Sequence, residues 1–189
     1  DGIDLIGSII LLAPIARLIA TGLTPVVNNT LIKIGDIIQS STDTNPLIMG
    51  IVLGGIITVV GTAPLSSMAL TALLGLTGAP MAIGAMAAFS SAFMNSALFH
   101  RLKLGDRKST ISVGIEPLSQ ADIVSANPIP IYVTNFFGGA IAGIIIAWSG
   151  MINNATGTAT PIAGFLVMFG FNSLTKVIIY GVRSEERRV

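Results

Sequence analysis

The chain has 189 residues, of which 52 % are apolar and only 10 % charged, with a formal net charge of +1 and a mean hydropathy of +0.83. Soluble domains carry roughly 25 % charge, whereas residues 44–99 and 123–175 here carry none, each stretch far exceeding the roughly 20 residues that cross a bilayer. A secreted module, a disordered tail and a nucleic-acid partner are excluded, the last because no basic stripe is present, and an integral membrane protein is left.

Residues 1–43 read as a first helix, Ile3 to Leu23 with Pro14 at its middle, followed by an interfacial stretch marked by Lys33, Asp36 and Asp43. Asp1 to Asp4 offers neither an initiator Met nor a basic n-region, so the chain is expected to begin partway through a longer protein. Residues 44–80 read as a helix plus a first hairpin. Asn45-Pro46 opens a span to about Val60, with Pro suited to the first helical turn. Gly61-Thr62-Ala63-Pro64 interrupts it, and Leu65 to Leu76 would give a helix of about 18 Å, too short to cross. Gly75, Gly78 and Pro80 close that piece, so Gly61 to Ala79 is expected to be re-entrant. Met81 to Phe99 is a full span within residues 81–100.

Arg101, Lys103, Arg107 and Lys108, with His100 just before them, crowd the basic loop 101–108, which the positive-inside rule places in the cytoplasm together with the tail 182–189. Two helices should therefore lie in 129–181, about Ile129 to Trp148 and Pro161 to Gly181, joined by the uncharged external loop Gly150 to Thr160. Ser109 to Pro128 must then leave and return on one side, making 109–128 a second hairpin. Trp148 and Tyr180 fall near span ends, as aromatic belts do. Asn45-Pro46, Gly54-Gly55 and Gly61-Thr62-Ala63-Pro64 are echoed at unequal spacing by Asn127-Pro128, Gly138-Gly139 and Gly157-Thr158-Ala159-Thr160-Pro161. The fold class expected is an all-α integral membrane protein of about five transmembrane helices and two re-entrant hairpins, forming a single membrane domain over 1–189.

Glu116, in Gly114-Ile115-Glu116-Pro117, is the most informative residue. A carboxylate costs about 2.5 to 3.5 kcal/mol at the centre of a lipid-facing helix, so it must find donors or a watery cavity, and sugar hydroxyls would serve. The flanking Gly114 and Pro117 fix a turn that can present it; the alternative is an interfacial Glu paired with Lys108 or Arg107. Gln120 and Asp122 could add hydroxyl-binding groups, or Asp122 could only favour a helix N-terminus. Asn127 is either a ligand group or the N-cap of the next helix. Thr62, Ser66 and Ser67 on the first hairpin could line a polar cavity or bond back to helix carbonyls. Gly50, Gly54, Gly139 and Gly143 have the Gly-x-x-x-Gly spacing of close helix packing, and His100 reads as an interfacial anchor. Cysteine is absent and histidine occurs once, so neither a metal nor a cofactor is expected, and no catalytic motif is present.

At Gly114-Ile115-Glu116-Pro117, Asn127-Pro128-Ile129-Pro130 and Phe136-Phe137-Gly138-Gly139-Ala140-Ile141-Ala142-Gly143 the sequence resembles enzyme IIC (EIIC), the membrane permease subunit of bacterial sugar phosphotransferase systems. The resemblance runs from about Asn45 to Gly181 and is closest to stand-alone IIC-like proteins, some of which are labelled toxin regulators. It implies that Glu116 corresponds to the hairpin Glu that binds sugar hydroxyls, and that these spans form the C-terminal, substrate-binding half of a glucose-superfamily EIIC. Two features depart from the pattern: the first hairpin lacks the His that many such permeases offer to the sugar, and no phosphorylated IIB domain is present. The resemblance implies a sugar transporter working by alternating access in the bacterial inner membrane, at most the permease component of a phosphotransferase system, with no catalytic site of its own. Its partners would be the lipid bilayer, separate EIIA and EIIB phosphocarrier proteins where phosphorylation occurs, and a second copy in a homodimer. The alternative is a membrane sensor or regulator that binds a ligand without moving it.

Overall fold

The computed structural model describes residues 2–42, 45–63 and 65–186. Its helices are α1 (Gly2–Thr42), α2 (Pro46–Thr62), α3 (Ser67–Leu73), α4 (Gly78–Leu102), α5 (Arg107–Ile115), α6 (Ala121–Ala126), α7 (Pro128–Ser149), α8 (Pro161–Met168) and α9 (Leu174–Glu186), with a 3-10 turn over Pro117–Gln120. The chain divides into two compact units, Asp1–Asp36 and Ile37–Val189.

The first unit is α1 as far as Asp36. The helix runs on past Leu23, through Pro14 and Pro25, to Thr42; Asp43 lies outside the described residues. Lys33 and Asp36 are three apart on the exposed face, where polar side chains do not end a helix. Thr21, Thr24 and Thr30 donate their hydroxyl hydrogens to the carbonyls of Arg17, Ala20 and Val26, which leaves an apolar outer surface of side chains such as Leu18 and Ile19.

In the second unit the core is the crossing of α2, α4 and α7. Gly50 lies against Gly143 and Ile144, Gly54 against Gly139, and Gly55 against the Phe136 ring, so α2 and α7 run antiparallel with their backbones in contact. The Gly-x-x-x-Gly pairs thus serve packing within one chain. Four polar side chains are buried at the same crossing: Thr58, Thr62, Asn95 and Asn135. Thr58 Oγ1 donates to the Asn135 carbonyl at 2.7 Å and Thr62 Oγ1 to the Thr58 carbonyl at 2.8 Å. Asn135 Nδ2 donates to Asn95 Oδ1 at 2.7 Å, and Asn95 Nδ2 reaches Thr62 Oγ1 at 3.4 Å. Among the described buried side-chain atoms, Asn135 Oδ1 is the one without a partner.

Ile57 packs on Gly84 and Thr62 pairs with Asn95, so α2 and α4 run in the same direction. The segment between them must therefore carry the chain back from the level of Asn95 to Gly78, about 25 Å along α4. The seven residues of α3 supply about 10 Å of that rise, and the connecting residues on either side supply the rest. Sequence spacing suggested a hairpin between oppositely directed helices; the observed segment is a return leg between parallel ones. Ser66 caps α3 by accepting from Ala69 N at 3.1 Å.

α5, the 3-10 turn and α6 fold back on themselves beside α4. Asp106 caps α5 through Ser109 N at 2.8 Å, and Val113 of α5 and Val124 of α6 pack with Phe99 and Ile131 in one buried cluster. Gly114 lies against Ser96 of α4, so the tip at Glu116 points toward the middle of that helix.

The expected continuous helix from Pro161 to Gly181 is broken into α8 and α9, and the expected loop over 150–160 does not stay at one end. Asn153 N donates to the Gly78 carbonyl at 3.0 Å, at the start of α4, whereas Ala159 touches Gly84 further along it. α8 then returns: Gly164 packs on Ala85, Phe165 stacks on Phe89 with centroids 4.0 Å apart, and Asn172 closes the loop on Ile152. Asn172 Oδ1 accepts from Ile152 N at 3.0 Å and its Nδ2 donates to Ile152 O at 2.8 Å. These paired bonds hold the chain in a turn where apolar content alone favoured helix. α9 starts at the same end, with Lys176 Nζ donating to the Gly150 carbonyl at 3.2 Å, and runs parallel to α4 until Gly181 meets Met86. The sequence echo builds no two-fold, because α3 and α8 point the same way while α2 and α7 oppose. Among the described residues three helical stretches are long and apolar enough to cross a membrane, Leu11–Ile38, Gly78–Leu102 and Pro128–Ser149, and α2 is apolar but shorter; about five were expected.

Candidate functional site

Three turns meet at one cavity of about 50 Å³. The first contributes Gly61, Ser66 and Ser67; the second, the tip Glu116-Pro117-Leu118; the third, Ala159-Thr160-Pro161; and Ala88 and Ser91 of α4 form the back wall. Ala88 and Ser91 flank the midpoint of α4, so the cavity sits at mid-height. Pro117 follows Glu116 and starts the 3-10 turn, which ends α5 and presents the carboxylate at the tip.

Glu116 is exposed to this space. Its Oε1 accepts one long bond from Leu118 N at 3.4 Å, and it makes no ion pair among the described residues. Arg107 and Lys108 stand at the opposite end of α5, about 12 Å away along the helix. An interfacial pairing of Glu116 with either cation is therefore not the arrangement observed. Around the carboxylate the hydroxyls are anchored by their own turns. Ser67 Oγ donates to the Ala159 carbonyl at 2.7 Å, joining the first turn to the third, and Ser91 Oγ donates to the Ala88 carbonyl at 2.7 Å. Thr160 Oγ1 caps α8 by accepting from Gly164 N at 3.1 Å. Capping oxygens such as those of Ser66 and Thr160 keep their own hydroxyl hydrogens available to a ligand.

Of the residues singled out from sequence, Glu116, Pro117, Ser66 and Ser67 are brought together. Gly114 is a packing residue against α4. Thr62 is fully buried in the core network, outside the cavity. Gln120 turns its Nε2 to the Ser119 carbonyl at 2.8 Å, and Asp122 is exposed in the first turn of α6. Asn127 does not cap α7; its Nδ2 donates back to the Ile123 carbonyl at 3.0 Å. Sequence reasoning missed Ser91 and Thr160. The Thr160-Pro161 pair is a readable helix start, whereas a Ser inside an apolar helix carries no such mark.

The arrangement defines a class: a helical membrane protein in which turns from different parts of the chain converge on a cavity of mixed polar and apolar lining at the mid-height of α4. The family model of the phosphotransferase system EIIC matches residues 1–183, and the chain belongs to that family. It is accordingly a multi-pass membrane component of a sugar phosphotransferase system. No curated protein and no solved structure matches the chain.

Proposed function

We propose that this protein binds a carbohydrate at the Glu116 cavity and moves it across the bacterial inner membrane by alternating access. The observation that carries the reading is the convergence of Glu116 with Ser66 and Ser67, whose turns are far apart in sequence, on one space at the midpoint of α4. A carboxylate can accept two sugar hydroxyls and the capping hydroxyls of Ser66 and Thr160 can donate to others, a donor and acceptor set suited to a polyol. Segments 109–128 and 150–173 act as re-entrant elements and segment 61–79 as an interrupted return leg, tolerated because broken backbone of this kind is covered by protein and lines a cavity.

About 50 Å³ is well below the roughly 300 Å³ at which ligand pockets begin, so the reading requires a more open state in which the Glu116 tip and the Ala159-Thr160-Pro161 turn separate. Gln120, Asp122 and Asn127, close in sequence to Glu116, are the side chains such an opening would bring toward the ligand. Phosphorylation, where it accompanies transport, is left to EIIA and EIIB proteins, and the permease works as a homodimer. The exposed apolar side chains of α1 support that assembly; Gly50, Gly54, Gly139 and Gly143 are already committed within the protomer.

The test is uptake of radiolabelled hexoses and disaccharides into proteoliposomes, with binding measured on the same preparation. Net uptake of a sugar that also binds is expected. Binding without uptake would make the protein a sensor and overturn transport.

A further inference from the structure

A second hollow of about 310 Å³ lies between α4, α5 and α8, walled by Phe89, Ala92, Phe93, Ile111, Gly114 and Ile162. Phe93, Ile111 and Ile162 are all about half exposed, so it opens on the surface as a groove. The lining is nearly all carbon, and the hydroxyl of Thr110 at its edge is engaged with the Asp106 carbonyl at 3.1 Å. The other hydroxyl, that of Ser96, lies at the α4 wall against Gly114; one serine is too little for a sugar, whereas a hydrocarbon chain would find a fitting wall.

The charge lies at one end. Arg107 and Lys108 stand four and three residues before Ile111 on α5, about one turn away, and Arg101 and Lys103 close the end of α4. All four are exposed and form no ion pair among the described residues. The acid between them, Asp106, is the cap of α5, so four cations against one anion leave an excess of three positive charges. An apolar groove headed by unneutralised cations matches the chemistry of an anionic phospholipid, and basic side chains near a bilayer surface attract such head groups by about 1 kcal/mol each.

We propose that the α4–α5–α8 groove is a binding site for one anionic phospholipid, its phosphate at Arg107 and Lys108 and an acyl chain lying along Ile111 and Phe93 toward Phe89 and Ile162. The site is distinct from the sugar cavity but shares its moving parts: α5 carries Glu116 at its end and α8 starts at Thr160-Pro161. Lipid occupancy would therefore favour the state in which α5 and α8 stand at this separation from α4.

The protein has a single tryptophan, Trp148, at the far end of α7, which makes a groove reporter simple to build. The full chain carrying Trp148→Phe and Phe93→Trp is reconstituted in phosphatidylcholine vesicles and titrated with brominated phosphatidylglycerol or brominated phosphatidylcholine. Quenching by the phosphatidylglycerol is expected at the lower mole fraction, with a preference of about fivefold for each basic side chain engaged. Arg107→Gln with Lys108→Gln should abolish the preference while quenching at high mole fraction persists. Ile111→Trp in the same Trp148→Phe background serves as a second reporter should Phe93→Trp fold poorly. Equal quenching by both lipids would reduce the groove to ordinary lipid-facing surface and overturn the proposal. Absence of quenching by either would also overturn it, since protein, α1 or a second copy, would then cover the groove. Neither outcome touches sugar binding.

Discussion

Gly54 and Gly139 meet backbone to backbone: a Cβ placed on Gly54 would lie 2.9 Å from the Gly139 carbonyl carbon. Neither helix can yield, because Gly50 against Gly143 repeats the contact one turn along. Gly54→Leu or Gly139→Leu should therefore destabilise by at least the roughly 3 kcal/mol of severe overpacking, seen as loss of a monodisperse peak or a large fall in melting temperature. Gly22→Leu is the control, since nothing lies within 4 Å of its added Cβ, and it should melt like the parent.

Glu116→Gln should keep the fold and lose ligand affinity. The carboxylate makes only one long internal bond, so its replacement disturbs no packing, whereas a hydrogen bond to a charged acceptor is worth about 1.5 to 3 kcal/mol. The expected loss is roughly 10- to 150-fold. Calorimetry with a sugar that the parent binds, with melting as the folding control, measures it, and unchanged affinity would remove Glu116 from the site.

The sequence was most informative where a residue type permits few alternatives. A lone Glu before Pro117 in a membrane segment had to be at a turn with polar company, and the four glycines at i, i+4 spacing had to be at a close helix crossing. It was least informative about direction. Nothing in Gly61-Thr62-Ala63-Pro64 distinguishes a hairpin from a return leg, because that depends on α2 and α4 running parallel, a tertiary fact carried by Ile57 on Gly84 and Thr62 on Asn95. The break between α8 and α9 was hidden for a similar reason. Asn172 looks like any polar residue in an apolar run until Ile152, 20 residues earlier, offers both a donor and an acceptor. For Thr62 the sequence leaves open a cavity position or a bond back to a helix carbonyl, and the hydroxyl makes the second, to Thr58.

The buried pair Asn95 and Asn135 should behave as a coupled unit. Single Leu substitutions leave a desolvated amide facing carbon, at a cost of about 1 to 3 kcal/mol, while the double substitution should cost less than the sum. Coupling energies between polar side chains in membrane helices average about 0.6 kcal/mol, with a maximum near 1.7, and a double-mutant cycle on thermal or denaturant unfolding in detergent resolves that range.

Asp106 should make the start of α5 sensitive to acid. The Ser109 backbone N–H bonded to its carboxylate, reinforced by the Ser109 side chain, holds its pKa below the usual aspartate value. A depressed folded pKa means that the capping contribution is fully present above the unfolded value and is lost as pH falls through the folded one. Amide exchange protection in Arg107–Ile115 should therefore decline at strongly acid pH, after correction for intrinsic rates. Asp106→Asn, which retains an acceptor but no titrating group, should flatten that dependence.

The basic loop and the 150–160 turn should face opposite sides of the membrane. Asn153 is bonded to Gly78 at one end of α4, and Lys103 caps the other; the 25 residues between span about 37 Å, more than the roughly 30 Å hydrocarbon core. Lys103 lies among four exposed cations, and such loops remain on the cytoplasmic side. The absence of cysteine makes single reporters unambiguous: Asn154→Cys should react with an impermeant maleimide in intact cells, and Lys103→Cys only after permeabilisation. Asn154 is exposed although its neighbour Ala159 is buried in the core, so Ala159→Cys should remain unlabelled in both conditions, which separates sidedness from simple burial. Labelling of both Asn154→Cys and Lys103→Cys from the same side would mean that α4 does not cross, and the Glu116 cavity would then have no midplane to occupy.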